Sequence, residues 1–298
     1  MFPSNALSSY FETSDGERLF YVFAPSSFKN RNLPLLVFHY GLVCNFAHWQ
    51  HQIPFLAQQG YPVLCYHYRG HYTSSCKNLD QCSFFQFAQD LEELLNFLKI
   101  SKIILLGHSM GVNVSLEYTR LFPKKVLAQI LISGTILPPD YLMFQSTLMH
   151  SFYPIFKKCA FDYPTFFKTI WKTNFKNPVF SFLIHRLGFN AKEVPLEAIE
   201  RYLKRMGELP FALFFKLFDQ MLHHTIAQDL PNIECPTLIL SGDKDNVVPA
   251  HTQYLLAHLI PNTKVILIPK GGHVPQEDFP EVINNHLLEF LAEISQRE

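Results

Sequence analysis

Six short, unbroken apolar runs recur along the chain, and they constrain the fold more than any other feature. They are "LPLLVFHY" (33–40), "YPVLCYHY" (61–68), "KIILLG" (102–107), "VLAQILIS" (126–133), "PTLILSG" (236–242) and "KVILIP" (264–269). A strand with one wet face alternates apolar and polar residues. A continuous run is expected where helices cover both faces of the sheet. Longer amphipathic segments lie between the runs, at about 48–59, 84–99, 110–121, 250–260 and 279–294. This alternation predicts an α/β fold with a mostly parallel sheet flanked by helices. It stops near 136 and resumes near 236. The stretch between is rich in Phe, Lys, Met and Leu and is broken by prolines at 138, 139, 154, 164, 178, 195, 210 and 231. It predicts several short helices forming an inserted cap. The expected division is a core of residues 1–136 and 231–298, with a helical cap over 137–230.

Chemistry enters at "GHSMG" (107–111), which places Ser109 between Gly107 and Gly111. An apolar run precedes it and a helix-like stretch follows. That strand–turn–helix context suits a serine held on a tight turn as a nucleophile; the rival reading is a tight turn without chemistry. A serine needs a base, and His273 in "PKGGHVPQEDFP" follows the last apolar run. The base needs a carboxylate to fix its tautomer and stabilise its charged form. "LILSGDKDNVVP" offers Asp243 and Asp245, both at the carboxyl end of the preceding run, where sites of open α/β sheets form. The residues alone leave both aspartates open.

With these features the chain resembles the α/β-hydrolase fold superfamily, in its serine-nucleophile branch with a helical cap. The resemblance runs over nearly all of the chain outside 137–230. The order Ser109, Asp245, His273 is similar to that family's order. The family's acid pattern G-x-x-D-x-x-x-P falls on Gly242, Asp245 and Pro249, which implies Asp245 as the acid and Asp243 as a turn residue. The resemblance also implies an oxyanion hole made of two backbone N–H groups. One is that of Met110. The other is that of Leu42, in "FHYGLVCNFAHW", where Gly41 and Trp49 match the family's spacing. Tyr40 stands where the family has histidine, and His39 lies one residue earlier. Tyr40, Gly41 and His108 are expected to line the site, and Cys44 either lines its mouth or is a buried thiol. "YHYRGHYTSS" (66–75) is similar to the family's D-x-R-G-x-G-x-S loop through Arg69, Gly70 and Ser74, with His67 and Tyr72 departing from it. It is read as structural, with His67 and His71 as further candidates for the site's lining.

A serine nucleophile supports acyl transfer through an acyl-enzyme. It argues against the branches of the family that open epoxides or displace halide from an aspartate. The aromatic-rich cap points to an ester with a hydrophobic acyl or alkyl part. Carbon–carbon bond, lactone or amide hydrolysis and acyl transfer remain alternatives on the same groups. A non-catalytic binding protein of this fold would require a lost catalytic residue, and none is lost.

Composition narrows the partners. With 25 basic and 25 acidic residues among 298 the net charge is +0, against a nucleic-acid partner. The 29 phenylalanines and 13 tyrosines exceed what a core needs, and suggest a roomy apolar site or an apolar face. The six cysteines form no CxxC pair and no zinc-like spacing. His48 and His51 lack an evident third ligand, so no metal and no organic cofactor is expected. Cys65, inside an apolar run, reads as a buried thiol in a reducing compartment. The start of the chain has neither a basic region nor an apolar h-region, and no run of 18 apolar residues occurs. A cytoplasmic location is therefore expected. Lys157, Lys158, Lys168, Lys172 and Lys176 are interleaved with aromatics against Asp162 alone, an arrangement that suggests weak peripheral contact of the cap with a membrane.

Overall fold

The computed structural model describes residues 2–26, 33–142, 148–173 and 208–296. Its eight strands are β1 (Leu7–Glu12), β2 (Arg18–Ala24), β3 (Leu35–His39), β4 (Val63–Tyr66), β5 (Ile103–His108), β6 (Val126–Ile132), β7 (Thr237–Gly242) and β8 (Thr263–Ile268). They form one sheet in the order β1-β2-β4-β3-β5-β6-β7-β8. β2 pairs antiparallel with β1 and with β4, and every other pairing is parallel. Each of the six apolar runs is a strand of this sheet. The antiparallel pair β1–β2 at the edge was not among the expectations. Five of the six residues of β1 are exposed, so it lacks the continuous apolar signature of a covered strand.

The continuous signature has a direct cause in β3. Leu36 and Phe38 pack with Trp49, Ile53, Leu56, Ile283, Leu287 and Phe290 on one side of the sheet. Leu35 and Val37 pack with Phe84, Phe87, Leu91, Val114 and Tyr118 on the other. Successive strand residues point to opposite faces, so two covered faces demand apolar residues at every position. The covering helices are α1 (Gln52–Gln58) and, after the last strand, Pro280–Ser295 on the first side, with α2 (Phe84–Phe97) and α3 (Met110–Leu121) on the second. Ser83 starts α2 by accepting the N–H of Gln86 on its side chain, a serine N-cap.

The topology sets where a site can form. From β3 the chain crosses to β4 on one side, and from β5 it crosses to β6 on the other. The loops leaving the carboxyl ends of the adjacent strands β3 and β5 therefore diverge and open a crevice. His39 and Gly107 are paired across that junction. Between β6 and β7 the described residues form helices α4 (Pro139–Leu142), α5 (Leu148–Asp162), α6 (Pro164–Thr173) and α7 (Phe211–His223). Tyr153, Ala160, Phe167, Phe215 and Phe218 pack α5, α6 and α7 together. Leu209, Leu213 and Leu217 seat α7 and its approach on the core beside Val43, Tyr68 and Phe84. Residues 143–147 and 174–207 of the expected cap, with Phe144, Phe175 and Lys176, lie outside the described residues. Among the described residues no helix is long and apolar enough to cross a membrane.

Arg69 ties the loop after β4 to its surroundings. Fully buried, it donates from Nε to Asp90 Oδ2 at 2.8 Å and from Nη2 to Asp90 Oδ1 at 2.5 Å. Its Nη1 donates to Asp15 Oδ2 at 2.8 Å, in the β1–β2 turn. One guanidinium thus joins β4, α2 and the edge hairpin. Ser74 of the same loop donates to the His67 carbonyl and accepts from the N–H of Phe20. Removing one partner of a buried fork leaves the other charge stranded. Asp90→Ala is expected to lower the unfolding free energy by about 3–5 kcal/mol, measured by urea denaturation.

Candidate active site

β5 becomes α3 within one residue. Ser109 has φ 54° and ψ −121°, left-handed territory that costs a non-glycine residue on the order of 1–3 kcal/mol. The conformation is held on both sides. The Ser109 N–H donates to the Ile132 carbonyl at 2.9 Å, and its own carbonyl accepts from Val112 N–H at 2.9 Å. The flanking glycines permit the packing. A Cβ on Gly107 would lie 2.6 Å from the Gly111 carbonyl oxygen, and one on Gly111 would lie 2.5 Å from the His39 carbonyl oxygen. α3 thus sits directly on the end of β3, and the Ser109 side chain projects into the crevice, partly exposed.

His273 and Asp245 reach the same point from β8 and β7. His273 Nε2 lies 3.1 Å from Ser109 Oγ, and its Nδ1 lies 2.9 Å from Asp245 Oδ2. A carboxylate only accepts, so Nδ1 carries the proton and Nε2 presents its lone pair to the hydroxyl. Asp245 Oδ1 accepts from the N–H groups of Val247 and Val248, both at 2.8 Å, so each carboxylate oxygen is satisfied. Asp243, two residues earlier, accepts the Lys270 N–H at 2.6 Å and is partly exposed. It braces the turn that leads to His273 and does not touch the imidazole. The two loops approach closely at Gly242, where a Cβ would collide with the carbonyl oxygens of Gly271 and Gly272.

The loop after β3 closes the other side. Gly41 abuts Ser109: a Cβ there would stand 3.1 Å from Ser109 Cβ. The next residue is Leu42. Met110 is the first residue of α3, and first-turn amides of a helix have no acceptor within it. Both amides expected at an oxyanion thus belong to segments bordering Ser109.

A family model described as alpha/beta hydrolase fold matches residues 34–280. The chain belongs to the alpha/beta hydrolase fold family. The bifunctional esterase/perhydrolase DCH of Acinetobacter calcoaceticus is 26% identical over 293 residues, covering 95% of this chain and 99% of its own. The esterase EaEST from Exiguobacterium antarcticum superposes with a TM-score of 0.75 at 19% identity, over 96% of this chain and 100% of that one. Bromoperoxidase from Bacillus anthracis superposes with a TM-score of 0.73 at 22% identity, over 96% and 100%. The structural likenesses share the fold; the family match gives the coarse chemical class, a hydrolase.

The remaining expected lining residues support this hydrolase's crevice without opening onto it. Tyr40 is fully buried. Its hydroxyl accepts the Tyr68 N–H, its carbonyl accepts the Tyr68 hydroxyl, and the two rings meet tilted at 39° with their centroids 4.4 Å apart. This corrects its assignment to the lining: an aromatic core under the loop takes up the tyrosine. His108 is buried behind His273 and donates from Nε2 to the His273 carbonyl at 2.9 Å. Burial holds its pKa well below the ordinary histidine value, so it is a neutral strut for the loop carrying His273. His39 is likewise neutral, lowered to about 3 by burial, and hydrogen-bonds Ser115 on α3 at 2.8 Å. His67 and His71 are buried among aromatic rings. Cys44 is buried and its thiol is pushed up by burial, which makes it a packing residue.

Asp278 carried no sequence signal. In "PQEDFP" nothing separates it from Glu277, yet Glu277 faces Gln50 and Asp278 turns inward. It closes helix α8 (Pro275–Asp278, preceding α9, Pro280–Ser295) and accepts the Gly272 N–H at 2.6 Å, next to His273. Burial pushes its carboxyl up to about 7. An unfolded aspartate loses its proton near pH 4, so between about 4 and 7 the folded state binds the extra proton and stability falls as pH rises. Asp278→Asn keeps an acceptor for Gly272 and removes that fall. Relative to wild type it is expected to gain on the order of 3 kcal/mol at pH 8 and little at pH 4, read from urea unfolding at the two pH values.

Proposed function

We propose that this hydrolase cleaves a carboxylic ester with a hydrophobic acyl or alkyl part, with Ser109 as nucleophile, His273 as base and Asp245 as the orienting acid. The observation that carries the reading is the unbroken path Asp245–His273–Ser109, at 2.9 and 3.1 Å, ending on a serine in a strained backbone turn. In the proposed cycle Ser109 Oγ attacks the ester carbonyl while His273 Nε2 takes its proton. The imidazolium is stabilised by Asp245, and the oxyanion by the N–H groups of Leu42 and Met110. Collapse expels the alcohol, which leaves with the proton from His273. Water, deprotonated by the same imidazole, then splits the acyl-enzyme into carboxylic acid and free serine.

Three features favour an apolar ester. Leu42 packs against both the core and the aromatic cluster of the cap. The cap helices supply Phe215, Phe218 and Tyr153 to that cluster. The relative from Acinetobacter calcoaceticus, matched over nearly all of both chains, is named an esterase/perhydrolase. Buried, unpaired Cys44 and Cys65 support a reducing compartment such as the cytoplasm.

Wild-type protein is expected to label covalently with a fluorophosphonate, and Ser109→Ala to be silent; equal labelling of the two would sink the mechanism. On p-nitrophenyl esters of increasing chain length, Asp245→Asn is expected to lose roughly 10³–10⁴-fold in kcat. Asp243→Asn, which retains an acceptor for Lys270, is expected to stay within about tenfold of wild type. The reverse order would reassign the acid.

A further inference from the structure

Helix α5 carries two apolar faces where a helix on a globular surface ordinarily has one. The inner face, with Tyr153 and Ala160, is buried against Phe167, Phe215 and Phe218. The outer stripe runs through Phe152 and Ile155 and continues past the α5–α6 junction through Tyr163 and Phe166, while the half-exposed Phe156 leans back on Phe167 and Phe215. Phe152 and Ile155 are each 59% exposed, Tyr163 66% and Phe166 69%. Singly exposed apolar residues are ordinary, but a contiguous stripe marks an interaction surface.

Charge indicates what that surface meets. The whole chain is neutral, yet α5 and α6 hold four lysines, Lys157, Lys158, Lys168 and Lys172, against Asp162 alone. Lys157 is half-buried and paired with Asp219. Lys158 pairs with Asp162 across an exposed i,i+4 contact, the kind worth little in water. Lys158, Lys168 and Lys172 are exposed, and long aliphatic stems let such heads reach a charged layer while apolar neighbours sink below it. Tyr163 adds an amphipathic ring suited to the same depth. Two copies of this face pressed together would set lysine against lysine. Phospholipid headgroups of negative charge would satisfy both the lysines and the apolar stripe.

We infer that the outer face of α5–α6 docks the protein reversibly on an anionic lipid bilayer, with Phe152, Ile155, Tyr163 and Phe166 entering the headgroup–acyl boundary. Docking stands apart from the chemistry at Ser109, so its failure leaves the ester reading intact, and a failure of that reading leaves docking intact.

The test is co-sedimentation of the full chain with vesicles of phosphatidylcholine containing phosphatidylglycerol, against vesicles of phosphatidylcholine alone. Wild type is expected to pellet with the anionic vesicles and to be released by raised salt. The triple variant Lys158→Gln, Lys168→Gln, Lys172→Gln is expected to lose about fivefold in partitioning for each lysine removed. Phe152→Ser with Phe166→Ser is expected to lose at least about tenfold, with an unchanged thermal midpoint showing that both variants are folded. Absence from both pellets, equal pelleting with both vesicle types, or variants that partition like wild type would each overturn the proposal. So would a concentration-dependent dimer abolished by Phe152→Ser with Phe166→Ser and no vesicle binding, since the face would then belong to a second copy.

Discussion

The left-handed turn at Ser109 is the constraint on which the rest of the site depends. A parallel strand must become a helix in one residue, with the side chain of that residue projecting outward. Three neighbouring features follow from it. Gly107 and Gly111 lack side chains because the helix start, the strand end and the β3 carbonyl share one small volume. Ile132 and Val112 supply the backbone partners that hold the strained residue. The loop after β3 passes so near the serine that Gly41 abuts it. The strain has a local cost, and the covered core of the sheet offsets it.

A second convergence completes the constellation. The loops after β7 and β8 must approach until Gly242 touches the carbonyls of Gly271 and Gly272. Asp243, Asp278 and His108 then fasten the His273 loop from three directions, through the N–H of Lys270, the N–H of Gly272 and the carbonyl of His273. The two aspartates that look alike in "GDKDN" divide the work. One braces backbone, and the other faces the imidazole while two amides hold its far oxygen.

What the sequence could disclose tracks how local the physics is. Strands β3 to β7 were legible because both faces are covered, which writes mostly apolar residues along them, and the edge strand β8 was legible through its half-buried run Val265–Ile268. The edge hairpin was not legible: Ser8, Ser9 and Tyr10 of β1 face solvent and follow no buried pattern. Ser109, His273 and the pair Asp243/Asp245 were legible from their positions after apolar runs, and the family pattern chose between the aspartates as the geometry does. Tyr40 was misread because an aromatic at a family histidine position carries no mark of which way its ring turns; the neighbouring Tyr68 decides that. Asp278 was invisible because its short helix packs against the turn Phe46–Trp49, far away along the chain. Between β6 and β7, apolar residues turn inward and outward alike, so composition alone does not separate Phe166, which is exposed, from Phe167, which is buried.

Leu42 gives this arrangement a further consequence. Its amide follows Gly41, which abuts Ser109, while its side chain packs at once against the core cluster and the aromatic cluster of α5, α6 and α7. The core of the sheet and the helices inserted between β6 and β7 therefore share a single residue. Repacking those helices presses on the backbone beside Ser109 as well. Drift in that aromatic cluster is then bounded twice, by its own packing and by the turn it leans on.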